Sequence, residues 1–173
     1  FESGLQTHMK RALEVGATPA DIVDVLHLVA VQGVASVGQA AEILAELAAL
    51  PDSPVDPSLQ ARIDSLGAAH ALRLTELARL DPGYAQVLLD FIEQGRPATG
   101  LAEAERSLVQ LALHACFTAF NPGAVRQIVA TALAQGLAPA ELLQAIQLGA
   151  HLAVHGSALG ARVLQSCQAA GQK

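Results

Sequence analysis

Apolar residues recur at helical spacing along nearly the whole chain, and no useful length alternates between apolar and polar residues with a period of two. The pattern predicts helices over residues 5–15, 19–50, 58–79, 83–94, 102–119, 123–135 and 139–169. Gly33 and Gly38 lie inside the second helix and are candidate positions for a kink or a break. The sequence therefore predicts an all-α fold.

An internal repeat is the most informative regularity of the chain. Residues 8–44 and 128–164 align with a constant offset of 120 and no gap. Each copy keeps a glycine that ends one helix and a proline that begins the next, namely Gly16, Gly136, Pro19 and Pro139. A short turn between two helices requires both signals, and a chance match would not keep them in register. We predict tandem helical repeats.

A proline-rich segment separates the two predicted copies. PDSPVDPS, residues 51–58, holds three prolines and is the only convincing linker signal. We predict that residues 1–50 form the second half of a first repeat, so that the first copy is incomplete. Residues 59–173 then form a complete second repeat.

Composition limits the partners of the protein. Of its 173 residues, 52% are apolar and only 15% are charged, and the formal net charge is −6. The acidic balance and the lack of a basic run argue against nucleic acid or an anionic membrane as a partner. No transmembrane or signal segment is visible. Because so few charges leave apolar helix surface to be covered, we predict a homo-oligomer. The two isolated cysteines, Cys116 and Cys167, are consistent with a reducing setting, and we predict a cytoplasmic location.

A narrow polar stripe follows the last predicted helix, which is otherwise apolar almost all round. Its members are Gln144, Gln147, His151, His155 and Arg162. The stripe faces either solvent or an internal polar cavity, and we expect His151 and His155 to border a cavity because two desolvated imidazoles need partners. His114 is placed opposite them. The spacing of His151 and His155 suits a metal, but no glutamate follows as in HExxH, and we predict no metal.

The matching stripe of the first copy holds Asp24, His27, Val31 and Ala35. Asp24 precedes His27 by three positions, so its carboxylate could orient the imidazole ring for proton transfer. His8 lies one helix earlier, near Glu2. The alternative, that both histidines are partly exposed helix residues, stays open.

Three segments resemble the carboxymuconolactone decarboxylase family in order and spacing. They read LDPGYAQVLLDFIEQG, GRPATGLAEAERSLVQLAL and GAVRQIVATALAQGLAPAELLQAI. Together they resemble one complete domain over about residues 80–164, and residues 1–48 are similar to its second half. The resemblance implies an all-α fold and a trimer or a dimer of trimers. It also implies a small-molecule substrate.

The resemblance also implies a chemistry. The family histidine is retained as His8 and replaced by Ile128 in the second copy. The alkylhydroperoxidase branch of the family uses a CxxC pair, and the cysteines of this chain, Cys116 and Cys167, form none, so thiol peroxidase chemistry is not expected. The other branch implies a cofactor-independent decarboxylase, or a related lyase or isomerase, on a small carboxylated or lactone compound.

These observations predict a set of site residues. For proton transfer we predict His8 and His27, with Glu2 and Asp24 as orienting carboxylates. For substrate binding we predict His151, His155, Gln147, His114 and Arg11, with Arg162 as a second candidate for a substrate carboxylate. A second hypothesis stays open, in which the same fold binds a small molecule or a partner without turnover.

Overall fold

The computed structural model describes residues 2–48, 53–66 and 73–170, except for the side chains of residues 2, 3, 152–156, 158, 159, 169 and 170. Within these ranges the chain forms helices and no strand, which confirms the all-α fold. The helices are α1 (Glu2–Glu14), α2 (Pro19–Leu47), α3 (Pro57–Ser65), α4 (Leu74–Leu80), α5 (Pro82–Gln94), α6 (Glu103–Ala115), α7 (Pro122–Ala134) and α8 (Pro139–Ala170).

The second helix is continuous as predicted, whereas two later helices differ from their predicted bounds. α2 continues through Gly33 and Gly38, because neither glycine adopts a positive φ that would end the helix. The helix predicted over 58–79 is divided, since α3 ends at Ser65 and α4 begins at Leu74. α6 ends at Ala115, four residues before its predicted end, where the N–H of Asn121 donates to the carbonyl of His114 at 3.0 Å.

Two helix–turn–helix corners have the same local structure 120 residues apart. Gly16 joins α1 to α2 with φ of +108°, and Gly136 joins α7 to α8 with φ of +89°. At each corner the residue after the glycine donates to a carbonyl five residues back, from Ala17 to Ala12 and from Leu137 to Ala132, both at 3.0 Å. This left-handed ending needs glycine because a Cβ is strained there. The duplication itself stays a prediction.

The start of α2 is closed by a reciprocal cap. The hydroxyl of Thr18 accepts from the N–H of Asp21 at 3.2 Å, and the Asp21 carboxylate accepts from the N–H of Thr18 at 2.8 Å. The corresponding position before α8 is Ala138, whose N–H donates to the Glu141 carboxylate at 2.8 Å. α8 therefore has only one half of this reciprocal cap.

The chain divides into two compact units at a different place from the predicted linker. The first unit runs over residues 1–109 and the second over residues 110–173. α2 packs against α4, which also contacts α3 and α5, so the proline-rich segment lies inside the first unit, and α3 begins within it, at Pro57. The proline-rich segment does not separate two units because α2, which precedes it, packs against α4, which follows it in the sequence.

Each unit has its own buried apolar side chains. The core of the first unit consists of Val31, Val34, Ala35, Ala41, Leu59, Ile63, Leu74, Leu77, Ala78, Ala85 and Leu89. In the second unit the buried apolar residues are Leu111, Cys116, Ala124, Ile128, Ala132, Leu142 and Ala145. On the surface of the first unit, Arg62 of α3 binds Asp90 and Glu93 of α5 at 2.8 and 2.7 Å. The hydrogen bond to Glu93 and that to Asp90 raise the pKa of Arg62.

α2 is long and apolar enough to cross a membrane by length and composition alone. An 18-residue window within it has a mean hydropathy of 1.5, and 33% of that window is buried inside the protein. Among the described helices it is the one that meets this criterion. A core helix of a soluble protein passes the same test, so the expectation that the protein has no membrane partner stays a prediction.

Candidate functional site

The buried face of α2 carries two polar side chains, Asp24 and His27. Asp24 is fully buried and His27 is 7% exposed. They lie one helical turn apart, and Val31 and Ala35 continue the same buried stripe. The sequence places these four residues on one face, and the structure turns that face inward. The alternative hypothesis, in which His27 is a partly exposed helix residue, is therefore wrong.

Both carboxylate oxygens of Asp24 are occupied. Oδ1 accepts from Nη1 of Arg106, at the start of α6, and Oδ2 accepts from the N–H of Leu101 at 3.1 Å. A fully buried carboxylate needs such partners because desolvation strongly penalises its charge. We predicted that the Asp24 carboxylate orients the ring of His27. It makes no direct hydrogen bond to that ring, because it binds Arg106 and the N–H of Leu101 instead.

His27 binds the end of α5. Its Nε2 lies 3.2 Å from the carbonyl oxygen of Phe91, and the two rings have centroids 5.2 Å apart with 50° between their planes. A carbonyl can only accept, so Nε2 carries the hydrogen, and in the neutral ring Nδ1 holds the lone pair. Nδ1 is buried and has no hydrogen-bond partner in the described part of the protein. The contact with Phe91 therefore selects the tautomer in which Nδ1 is the acceptor.

Two glycines let residues 95–102 approach this face closely. A Cβ on Gly95 would lie 2.7 Å from Cδ2 and 2.8 Å from Nε2 of His27. A Cβ on Gly100 would lie 2.9 Å from both Cβ and Cγ of Asp24. Real Cβ atoms do not come so near, so a side chain at either position would force its neighbours to shift. These residues thus lie directly against Asp24 and His27 on the buried face of α2.

The predicted site residues of α1 whose side chains are described are exposed. His8 is exposed, and the side chain of Glu2 lies outside the described residues. The Arg11 side chain is 72% exposed and pairs with Glu14 at 3.3 Å. The structure therefore does not bury His8 with Asp24 and His27.

The polar stripe of α8 does not enclose a cavity in its described members. Gln144, Gln147 and His151 are exposed, as is Arg162, while Leu142 and Ala145 are buried. The side chain of His155 lies outside the described residues. α8 turns its small residues inward, since Gly149 packs so closely on the carbonyl of Ala112 that a Cβ would overlap it. Of the two interpretations of the stripe, solvent or an internal cavity, these residues therefore agree with solvent.

His114 is buried in the second unit, in contrast to the exposed His151. Its side chain is 8% exposed, and its Nδ1 has no hydrogen-bond partner among the described atoms. Burial lowers the pKa of His114, because desolvation penalises the charged ring. We predicted that His114 lies opposite the α8 stripe across one cavity. The described members of that stripe lie at the surface, so this prediction is wrong for them.

Sequence reasoning missed the partners of Asp24 and His27. Arg106 and Leu101 are separated from Asp24 by 82 and 77 positions, and Phe91 from His27 by 64. Periodicity carries no information about such distant pairs. The one available signal was the segment GRPATGLAEAERSL in the family resemblance, which contains Arg106, Gly95 and Gly100.

Comparison with known proteins adds no relative from which a function could be transferred. No family model, curated protein or solved structure matches the chain. Within the described residues, no group of three or more histidine, cysteine, aspartate or glutamate side chains is placed to hold a metal ion. The chemistry of the candidate site therefore follows from its own geometry.

Proposed function

We propose that this protein is a cofactor-independent acid–base enzyme in which Nδ1 of His27 transfers a proton. The proposed reaction is a decarboxylation, or a related elimination or isomerisation, of a small carboxylated or lactone compound. The observation that supports it is the buried Nδ1, which keeps its lone pair because Nε2 donates to Phe91 and which has no described protein partner. The family resemblance supports the substrate class.

The chemistry follows from this tautomer. A neutral imidazole takes a proton from a carbon acid at Nδ1, and the imidazolium returns it to another carbon of the substrate. In a decarboxylation the neutral imidazole first takes the proton of the substrate's carboxylic acid at Nδ1. The imidazolium then returns that proton to the carbanion that remains when CO2 leaves, while a carbonyl group of the substrate holds the electron pair until then. The burial of His27 strengthens its interactions with developing charge, because bulk water is excluded.

Deuterium incorporation tests this proposal whatever the product is. Small carboxylated five-membered lactones are incubated with the protein in D2O, and NMR follows exchange at carbon and release of CO2. His27→Gln keeps an N–H donor for the Phe91 carbonyl but removes the base, so the rate should fall about 100- to 10,000-fold. His8→Ala is the matched substitution at the residue that the resemblance favours. Equal turnover by wild type and His27→Gln would overturn the role of His27.

A second candidate function is binding without turnover. It is favoured by Ile128, the second-copy counterpart of the family histidine, because this side chain is 4% exposed and fills the core of the second unit. The exposed His8 favours it as well. Binding of the same lactones with no deuterium incorporation and no CO2 release would identify this function.

Self-association is part of the proposal. α2 exposes large apolar side chains near both of its ends, namely Val23, Leu26, Val29, Ile43, Leu44 and Leu47, each between 46% and 79% exposed. Large exposed apolar side chains in such number favour a covered surface, because extensive exposed apolar area is unusual on a monomer. We propose that a second copy of the chain covers it, within the trimer or dimer of trimers that the resemblance implies.

A further inference from the structure

We infer that Asp24 and Arg106 are positioning residues for His27. Their ion pair ties the segment from Gly95 to Arg106 onto the buried face of α2, and the Gly95 end of this segment covers the imidazole and binds the Phe91 carbonyl that fixes its tautomer. The inference rests on the proposed function only in so far as His27 is the proton-transfer group. The positioning itself is a property of the free protein.

The first step is the attachment of the C-terminal part of the segment, residues 100–106, to α2. Asp24 binds it twice, through the guanidinium of Arg106 and through the N–H of Leu101 at 3.1 Å. Gly100 lies directly against the Asp24 side chain, because a Cβ there would come within 2.9 Å of it. The carboxylate is thus surrounded by the segment and has no exposed surface.

The second step is the contact between the N-terminal end of the segment, Gly95, and the surroundings of His27. The carbonyl of Phe91 accepts two hydrogen bonds, from the N–H of Gly95 at 2.9 Å and from Nε2 of His27 at 3.2 Å. Gly95 also lies against the imidazole itself. A displacement of Gly95 would therefore alter the acceptor that fixes the tautomer and the wall that covers the ring.

The third step is the link between the two ends. Asp24 and His27 are three positions apart on one helix, so their side chains are neighbours on its surface. Within the segment, Arg96 binds Glu103 at 2.6 Å and the carbonyl of Leu101 at 3.4 Å. These contacts shape the segment but do not attach it to α2. The attachment to α2 next to His27 is supplied by Asp24.

Nitrogen-15 NMR of the imidazole rings in the intact protein tests the inference without a substrate. At about pH 8, above the ordinary imidazole pKa of about 6.5, wild-type His27 should show one protonated nitrogen and one nitrogen with a lone pair. In Asp24→Asn the two signals should move toward the averaged values of mixed tautomers. The amide hydrogen of Leu101 should exchange at least about tenfold faster, since a neutral amide binds it and Arg106 more weakly.

Asp90→Asn is the matched control, because Asp90 also pairs with an arginine of the first unit but is far more exposed, at 46%. It should leave His27 and Leu101 unchanged. If Asp24→Asn does not fold, Arg106→Lys keeps the charge and Gly100→Ala keeps all the ionic groups, and each should shift the His27 signals in the same direction. Unchanged His27 signals and Leu101 exchange in a folded variant would overturn the inference. That result would leave the proposed function standing, because only the His27→Gln experiment tests proton transfer.

Discussion

Asp24 and Arg106 form a buried ion pair across 82 positions of the chain. The Asp24 side chain is completely buried, and that of Arg106 is 12% exposed. A buried pair of this kind adds little stability over apolar residues of the same volume, but breaking it by removal of one partner leaves an uncompensated charge. The pair therefore constrains the fold more strongly than an exposed ion pair does.

Arg106→Met should lower the free energy of unfolding by about 3–5 kcal/mol, because Asp24 stays buried without its cation. Urea unfolding at neutral pH measures the loss. Arg62→Met removes an arginine whose carboxylate partners are more exposed, and it should cost about 1 kcal/mol or less. Asp24→Asn combined with Arg106→Met should recover part of the loss, since the unpaired charge is gone. Equal losses for the two single variants would contradict this account.

Gly100→Ala should destabilise the protein by about 1–3 kcal/mol, because the new Cβ would enter the space of the Asp24 carboxylate. Gly33→Ala is the control, since nothing lies within 4 Å of a Cβ at that helical position. It should stabilise α2 by about 0.5–1 kcal/mol. Thermal or urea unfolding of both variants checks the prediction. A neutral effect of Gly100→Ala would show that Asp24 can move away.

The sequence predicts local features of this fold well and distant pairings poorly. The corners at Gly16 and Gly136 and the cap at Thr18 follow from signals within a few residues. The spacing of Asp24 and His27 correctly placed them as neighbours on one face. It could not show that Arg106 and Phe91 bind them, because helical periodicity encodes one helix at a time.

α8 shows why the inward face of an apolar helix is hard to predict. Its apolar residues lie on nearly all sides of the helix, so the hydrophobic pattern does not predict whether the stripe with Gln147 and His151 is buried or exposed. The structure instead buries Leu142 and Ala145, and Gly149 allows the closest approach to α6. Steric fit between backbones decides the inward face here, and a sequence pattern does not report that fit.

The caps of α2 and α8 should respond in opposite directions to reciprocal substitutions. Thr18→Ala removes the hydroxyl that accepts from Asp21 and should cost about 0.5–2 kcal/mol. Ala138→Thr supplies that hydroxyl at the corresponding position, where the carboxylate half of the cap already exists, and should stabilise the protein by a similar amount. Chemical denaturation of the two variants measures both effects. A loss of stability in Ala138→Thr would mean that the two corners are not locally equivalent.

Self-association should depend on the exposed apolar face of α2. Leu26 is 46% exposed, and Leu26→Glu places a charge in the proposed interface, where desolvation would be costly. Sedimentation at micromolar concentration should show a mass closer to that of one chain than in the wild type. Val87→Glu makes a similar change at a side chain on α5 that is 60% exposed and should leave the mass unchanged. A wild-type mass of one chain would rule out the proposed assembly.

The buried His114 should make the second unit less stable in mild acid. Burial lowers its pKa in the folded state, whereas the unfolded chain binds the proton with a pKa of about 6.5. The unfolded state therefore takes up more protons below about pH 6.5, so the stability that neutral His114 contributes is complete above that pH and is lost as the pH falls through it. His114→Gln cannot titrate, and its free energy of unfolding should decrease less than that of the wild type between pH 7.5 and pH 5.5. His151→Gln makes the same substitution at an exposed position and should keep the wild-type dependence. A wild-type pH dependence in His114→Gln would assign the acid sensitivity to other groups.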